Sequence, residues 1–145
     1  MNHQIVVAGK PALKYAKDGI AEYMKRLTRY GNFSIKQVKD GSSEDVSKRL
    51  YEASEKSIRI VMDERGELLN TDKLYQKMQN WQMNGTKNVS YLIGASDGHT
   101  QELRDSGDLV LALSPLTLQH ELALLVLVEQ LYRIETIRSG LPYHR

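Results

Sequence analysis

The chain has 145 residues, a formal net charge of +2 and no cysteine. That length suits one domain, residues 1–145, built on one core, and the lack of cysteine removes both a disulfide framework and thiolate chemistry. No apolar run approaches the roughly 20 residues that span a bilayer, and nothing at the N-terminus resembles a signal peptide, so a soluble cytoplasmic protein with no membrane partner is the expectation.

The small net charge hides an asymmetry. Residues 1–39 carry eight Lys or Arg against Asp18 and Glu22, a net of +6, so the remainder sums to −4. Such a split points to one basic surface on an otherwise acidic molecule, a feature suited to polyanions.

The chain opens with a short buried strand, His3 to Ala8, closed by Gly9. From Pro11 to Arg29 the apolar residues Leu13, Ala16, Ile20, Tyr23, Met24 and Leu27 recur at helical spacing and form a core-facing stripe. Lys10, Lys14, Lys17, Lys25 and Arg29 collect on a neighbouring arc. A solvated face is one reading of that arc. Because the basic excess of the whole chain sits on this element, a nucleic-acid footprint is the other.

Phe33 to Val38 alternates as a second strand, and Ser42 or Ser43 caps a helix running to about Lys56. Ile58 to Met62 is a third strand that ends at Asp63-Glu64-Arg65-Gly66. Asn70 or Thr71 starts a helix that closes near Gly85, and Val89 to Ile93 is a fourth strand running into Gly94-Ala95-Ser96-Asp97-Gly98. A short helix at Gln101 to Asp105 and a fifth strand at Leu109 to Ala112 follow. The last helix is expected to start at Thr117 as N-cap and to stop at Gly140. Strands and helices alternate throughout, which predicts an α/β fold with a mostly parallel sheet flanked by helices.

Within the last helix the seven residues from Leu122 to Val128 are all apolar. An amphipathic surface helix keeps a polar face, so this one is expected to be covered on nearly all sides, by its own sheet and by a second copy of the chain. The tail Leu141-Pro142-Tyr143-His144-Arg145 then offers an aromatic ring, an imidazole and a guanidinium to an anionic, stackable ligand.

In open α/β sheets ligands bind beyond the carboxyl ends of the strands. The loops after strands four and five are rich in small residues that let backbone approach a ligand. Taken alone, Gly94-x-x-x-Gly98 is better explained by a tight strand–helix turn, which needs no ligand. No phosphate loop G-x-x-x-x-G-K-[ST] and no G-x-G-x-x-G after the first strand occurs, which argues against ATP and dinucleotides. The four histidines show no metal-ligand spacing, and G-x-S-x-G is absent. His120-Glu121 reads as a hydrogen-bonded helix start, and the acidic pairs Asp63/Glu64 and Glu129/Glu135 have no spacing that separates them from solvated charges.

The colinear set VAGK near the start, GIAEYMKRL, LIGASDGH, LSPLTLQH, VEQLYRI and the closing PYHR resembles the SPOUT-type knotted methyltransferases, and within them the group acting on pseudouridine N3 of large-subunit ribosomal RNA. The resemblance spans essentially the whole chain. It implies a deep C-terminal trefoil knot, against the usual rule of unknotted chains, and a homodimer packed through the last helix. It implies S-adenosylmethionine as cofactor, lined by Met62, Gly94, Ala95, Leu113, Ser114, Pro115, Leu116, Thr117 and Leu118. It casts His144 as proton acceptor, Arg138 and Arg145 as charge stabilisers or phosphate contacts, and Tyr143 as a stacking platform. Ribosomal RNA, in the assembled ribosome, is the implied substrate, met by Lys10, Lys14, Lys17, Lys25 and Arg29, and no metal is implied. This chain departs from the family pattern at Ala95, where a second glycine is usual, and at Ala123, where a basic residue is common. A catalytically silent RNA-binding module with the same fold is the rival reading, and an unknotted monomeric flavodoxin-like protein is a third.

Overall fold

A computed structural model describes residues 1–144, with His144 described in its backbone alone. Five strands form one sheet in the order β2-β1-β4-β3-β5: β1 (Asn2–Ala8), β2 (Phe33–Val38), β3 (Ile58–Leu68), β4 (Asn88–Ile93) and β5 (Leu109–Ala112). Every pairing is parallel. The helices are α1 (Lys14–Leu27), α2 (Ser43–Ala53), α3 (Thr71–Met83), α4 (Gln101–Asp105) and α5 (His120–Arg138), followed by a 3₁₀ turn at Pro142–His144. Among the described residues no helix is long and apolar enough to cross a membrane.

Side chains alternate across a strand, and that alternation splits the core in two. Ile5, Val7, Ile60, Tyr91 and Ile93 point to one face, where they meet Ala16, Ile20 and Leu27 of α1, Leu74 and Met78 of α3, and Leu124, Leu127, Val128 and Leu131 of α5. Val6, Ala8, Val61 and Leu92 point to the other, under Val46 and Leu50 of α2 and Leu103 of α4. Strands buried on both faces read as continuous apolar runs. Tyr91 is fully buried at the centre, and its hydroxyl lies 2.8 Å from His3 Nδ1. Burial drives that imidazole's pKa down to about 4.

Local signals explain most element boundaries. Ser42 accepts from the Asp45 amide to cap α2, and Asn70 accepts from the Lys73 amide to cap α3. Several boundaries differ from the sequence reading. Helix α1 begins at Lys14 and α2 ends at Ala53; Leu13, assigned above to the core stripe, stands at the N-cap of α1 and is 40% exposed. Strand β3 does not stop at Met62 but continues to Leu68 after an excursion. Helix α5 starts at His120, not Thr117, because Gln119 takes the capping role and accepts from the Glu121 and Leu122 amides.

Helix α5 lies beside α1 and runs parallel to it: Glu121 meets Ala12 and Leu13 at one end, and Tyr132 meets Tyr23 and Tyr30 at the other. Within the single chain Leu122, Ala123 and Val126 on its outer side keep partial exposure.

Candidate active site

A cavity of about 280 Å³ opens at the carboxyl ends of β3, β4 and β5, close to the lower limit of roughly 300 Å³ for small-molecule pockets. Three loops wall it, and each is held by identifiable contacts.

The first wall is the excursion in β3. Met62 and Glu67 both stand opposite Leu111, so residues 63–66 loop outward while the strand resumes beyond them. Gly66 closes this loop. A Cβ there would lie 2.5 Å from the Val110 carbonyl carbon and oxygen, so only glycine brings the chain back this close to β5. Asp63 accepts from the Arg65 amide at 2.9 Å and pairs with Arg104 at 3.3 Å, both side chains being largely buried. Glu64 accepts a hydrogen bond from the Thr117 hydroxyl and so ties the first wall to the third. The acidic residues 63, 64, 129 and 135 are therefore not free solvated charges: Glu129 pairs with Arg133 and the buried Glu135 with Arg138.

The second wall is the loop from Gly94 to Thr100. Gly98, at φ +78°, donates to the Ala95 carbonyl at 3.0 Å, a left-handed turn that glycine adopts without steric cost. Two serines of α2 anchor it: Ser43 donates to the Gly98 carbonyl at 2.8 Å, and the Thr100 amide donates to Ser47 at 3.0 Å. Ala95 packs against the core on the α2 and α4 side. Its methyl group, the departure from a second glycine, thus has a place within the protein as well as along the pocket.

The third wall runs from Leu113 to Gln119. Ser114 Oγ accepts from the Leu116 amide at 2.9 Å, a local turn that competes with helix formation. The chain then enters α5, whose first-turn Glu121 accepts from the Ala12 and Leu13 amides at 2.5 and 3.0 Å. The His120-Glu121 pair is thus a hydrogen-bonded helix start, as its position in the sequence suggested. The Glu121 pKa is lowered, chiefly by the Leu13 amide.

Of the cofactor-binding residues implied by the sequence, Met62, Gly94, Ala95, Leu113, Ser114, Leu116, Thr117 and Leu118 all line this cavity; Pro115 is exposed and does not. The sequence reading missed His99, which is 7% exposed and holds its Nε2 3.0 Å from the Met62 carbonyl oxygen. Burial lowers its pKa, against the Met62 carbonyl and the Asp63 charge, which raise it. Asp63, Glu64 and Asp97 give the cavity an acidic lining beside apolar Ile93, Leu111 and Leu113, with Arg65 as a counterweight. Ala123, the other departure, also stands on its lining. No group of three or more His, Cys, Asp or Glu able to hold a metal occurs among the described residues.

Arg138 and Tyr143 lie elsewhere. Arg138 ends α5, with Nη2 2.6 Å and Nε 2.8 Å from Glu135 Oε2, and His120 begins that helix at the cavity. Nineteen residues make up that helix from one end to the other, a span of roughly 28 Å at 1.5 Å per residue. Tyr143 packs edge-on against Tyr132 at 4.7 Å and under the Arg133 guanidinium at 4.9 Å, and its hydroxyl is 3.1 Å from that of Tyr23. Desolvation, with that hydroxyl contact, pushes its pKa up to about 12. The His144 side chain and Arg145 lie outside the described residues. Lys10, Lys14, Lys17, Lys25 and Arg29 are all exposed along α1 and the segments flanking it, with Lys14 paired to Asp18 at 2.7 Å. One chain thus gathers the implied cofactor residues but leaves Arg138 and Tyr143 far from them.

The family model described as "Predicted SPOUT methyltransferase" matches residues 1–144. A ribosomal RNA large subunit methyltransferase H from Thermus thermophilus is 44% identical over 145 residues, which cover 100% of this chain and 99% of that protein. The protein of the same name from Deinococcus radiodurans is 39% identical with the same coverage. Among solved structures, the proposed methyltransferase Lpg2936 from Legionella pneumophila, in complex with bound SAM, superposes with a TM-score of 0.50 at 10% identity, over 95% of this chain and 66% of that one. That likeness is one of fold. The end-to-end match to the family and to its methyltransferase H members settles the lineage: the chain belongs to the SPOUT methyltransferase family.

Proposed function

We propose that the protein is a cytoplasmic S-adenosylmethionine-dependent methyltransferase that modifies N3 of a pseudouridine in large-subunit ribosomal RNA, acting on the assembled ribosome as a homodimer with a knotted C-terminal segment. The observation that carries this reading is the pocket itself: loops after β3, β4 and β5 form a small-residue, acid-lined cavity in a chain that matches the methyltransferase H proteins over its full length.

The residues present fit the cofactor. Main chain along the cavity at Gly94 and Ser114 suits hydrogen bonding to a nucleoside, apolar Ile93 and Leu113 suit its ring, and Asp63, Glu64 and Asp97 suit a cationic sulfonium. Bound there, it supplies a methyl group already activated by the positive sulfur. The protein's task is then alignment of the nucleophile at near-attack distance and removal of the N3 proton. His144 is the proposed acceptor of that proton, with Arg138 and Arg145 stabilising the imide charge or contacting phosphate. Tyr143 is the proposed surface for a neighbouring base; stacking of this kind contributes about 1–3 kcal/mol.

The separation of tail from pocket supports the dimer. Tyr143 packs at Tyr132, twelve residues along α5 from His120 at the cavity, about 18 Å at 1.5 Å per residue, so a second subunit packed on the half-exposed Leu122 and Val126 is the means of closing each site. A target in an RNA loop, whose bases can be splayed out, suits a pocket of this size.

The reading is tested by incubating the protein with radiolabelled S-adenosylmethionine and ribosomes isolated from cells lacking it, then mapping the product by mass spectrometry. Label at N3 of one pseudouridine, and little on stripped RNA, is expected. Label on another atom overturns the assigned reaction, and equal label on ribosomes and stripped RNA overturns the assigned substrate.

A further inference from the structure

The loop after β4 contains a group that neither the sequence motifs nor the family match assigns. His99 is buried between two walls of the cavity. Its Nε2 lies 3.0 Å from the Met62 carbonyl oxygen at the end of the first run of β3. Its ring also lies against Gly94 at the end of β4: a Cβ built on Gly94 would sit 2.9 Å from the ring's Cε1 and 3.0 Å from Nδ1. A side chain at 94 would thus have to displace the imidazole at 99. Nδ1 is the one buried side-chain polar atom without a hydrogen-bond partner among the described residues, although the Leu92 backbone is close enough to favour a proton there. The backbone of His99 is fixed independently, since Arg104 donates to its carbonyl at 2.7 Å and pairs with Asp63 from behind.

We propose that His99 is a positioning residue for the cofactor pocket: its neutral imidazole donates to the Met62 carbonyl, presses on Gly94, and so holds the two walls at a fixed spacing. This rests on the cofactor reading above. With the hydrogen on Nε2, that nitrogen donates to Met62 while Nδ1 faces the Leu92 backbone with no protein donor, an arrangement that is costly when buried. A structure that retains it does so for what the other nitrogen and the ring provide. The charged groups facing the imidazole are Asp63, which favours a proton on it, and Arg104, which opposes one. Burial outweighs both, so the ring is neutral near pH 7. A proton taken up at acid pH places a positive charge beneath a pocket that takes a cationic sulfonium, and cofactor affinity then falls.

Two variants separate this role from simple space filling. His99→Leu removes the donor to Met62. His99→Gln keeps a donor of similar reach but cannot titrate. In His99→Leu the KM for S-adenosylmethionine is expected to rise about tenfold with kcat largely retained, the mark of a misplaced binding wall. His99→Gln is expected to restore affinity near pH 7.5 and to abolish the loss of affinity that the wild type shows as pH falls below the ordinary imidazole range. Amide hydrogen exchange without cofactor supplies an independent readout: residues 62–66 and 94–98 exchange faster in His99→Leu than in the wild type. Unchanged exchange there, or a His99→Gln affinity profile that overlays the wild-type profile across this pH range, overturns the proposal. A wild-type chain that binds no S-adenosylmethionine defeats the cofactor reading instead, and the exchange rates still decide whether His99 fixes the walls.

Discussion

At residue 66 the absence of one methyl group decides the shape of the pocket's first wall. The nearest atoms to a Cβ at that position belong to the backbone of Val110 and Leu111, at 2.5 to 2.7 Å, and a backbone in the middle of a ladder cannot swing aside as a side chain can. Gly66→Ala is therefore expected to cost about 1–3 kcal/mol, the usual range for overpacking, read as a lower urea midpoint. An unchanged midpoint would mean that the excursion at 63–66 yields without strain. Gly66 carried no signal of its own in the sequence, and His99 stood only as the last residue of LIGASDGH, with no role assigned to it. A glycine after Asp-Glu-Arg reads as the end of a strand, and only the pairing of both Met62 and Glu67 with Leu111 makes it a point of return. A lone histidine after Gly98 has no spacing partner, because its own partner, Met62, is 37 residues away. Close steric fit and long-range hydrogen bonds leave no local periodicity to read.

Elements were legible where their determinants are local. Phe33–Val38, Gln101–Asp105 and Leu109–Ala112 have the bounds that alternation and capping residues predict, and the cavity lies at the strand ends where a parallel sheet places its ligands. Elements were misread where a distant residue intervenes. Thr117 has a capping hydroxyl, but Glu64 engages it from another loop, and the N-cap lies two residues on, at Gln119. Helix α1 shows the same effect with larger consequences. Leu13 at its N-cap has no side-chain acceptor, and the orphan amides of such a helix end need one. Glu121, 109 residues beyond Ala12, accepts from Ala12 and Leu13 and so joins the basic helix to the pocket's third wall. These amides hold the Glu121 pKa below its ordinary value of 4.5. A depressed folded pKa means that the carboxylate's contribution to stability is fully present above that value and disappears as pH falls through the lower, folded one. Glu121→Gln is accordingly expected to unfold at lower urea than the wild type at neutral pH, with the gap closing below about pH 4.5. A gap that stays constant into acid would show that the carboxylate's charge plays no part in holding α1.

The whole molecule poses the problem of two half-sites. The cavity is at the start of α5 and the Tyr143 cluster about two thirds of the way along it, where Tyr132, Tyr23 and Arg133 hold the tail's ring in place. No side-chain movement spans the twelve residues of α5 from His120 to Tyr132, about 18 Å. If each working site combines one subunit's pocket with the other's tail, defects in the two halves should complement. A chain ending at Gly140 keeps its pocket but has no tail, whereas Ala95→Phe keeps the tail and fills the pocket. Each alone is expected to be inactive in methyl transfer to ribosomes while retaining native circular dichroism. Mixed and allowed to exchange subunits, they form heterodimers in which the truncated chain's pocket faces the substituted chain's tail. One competent site per heterodimer, and heterodimers making up about half of a random mixture, give roughly a quarter of the wild-type activity per subunit. Activity no greater than the sum of the two parents would place both halves of the site within one subunit, and the tail would then have to leave its tyrosine cluster to reach the pocket.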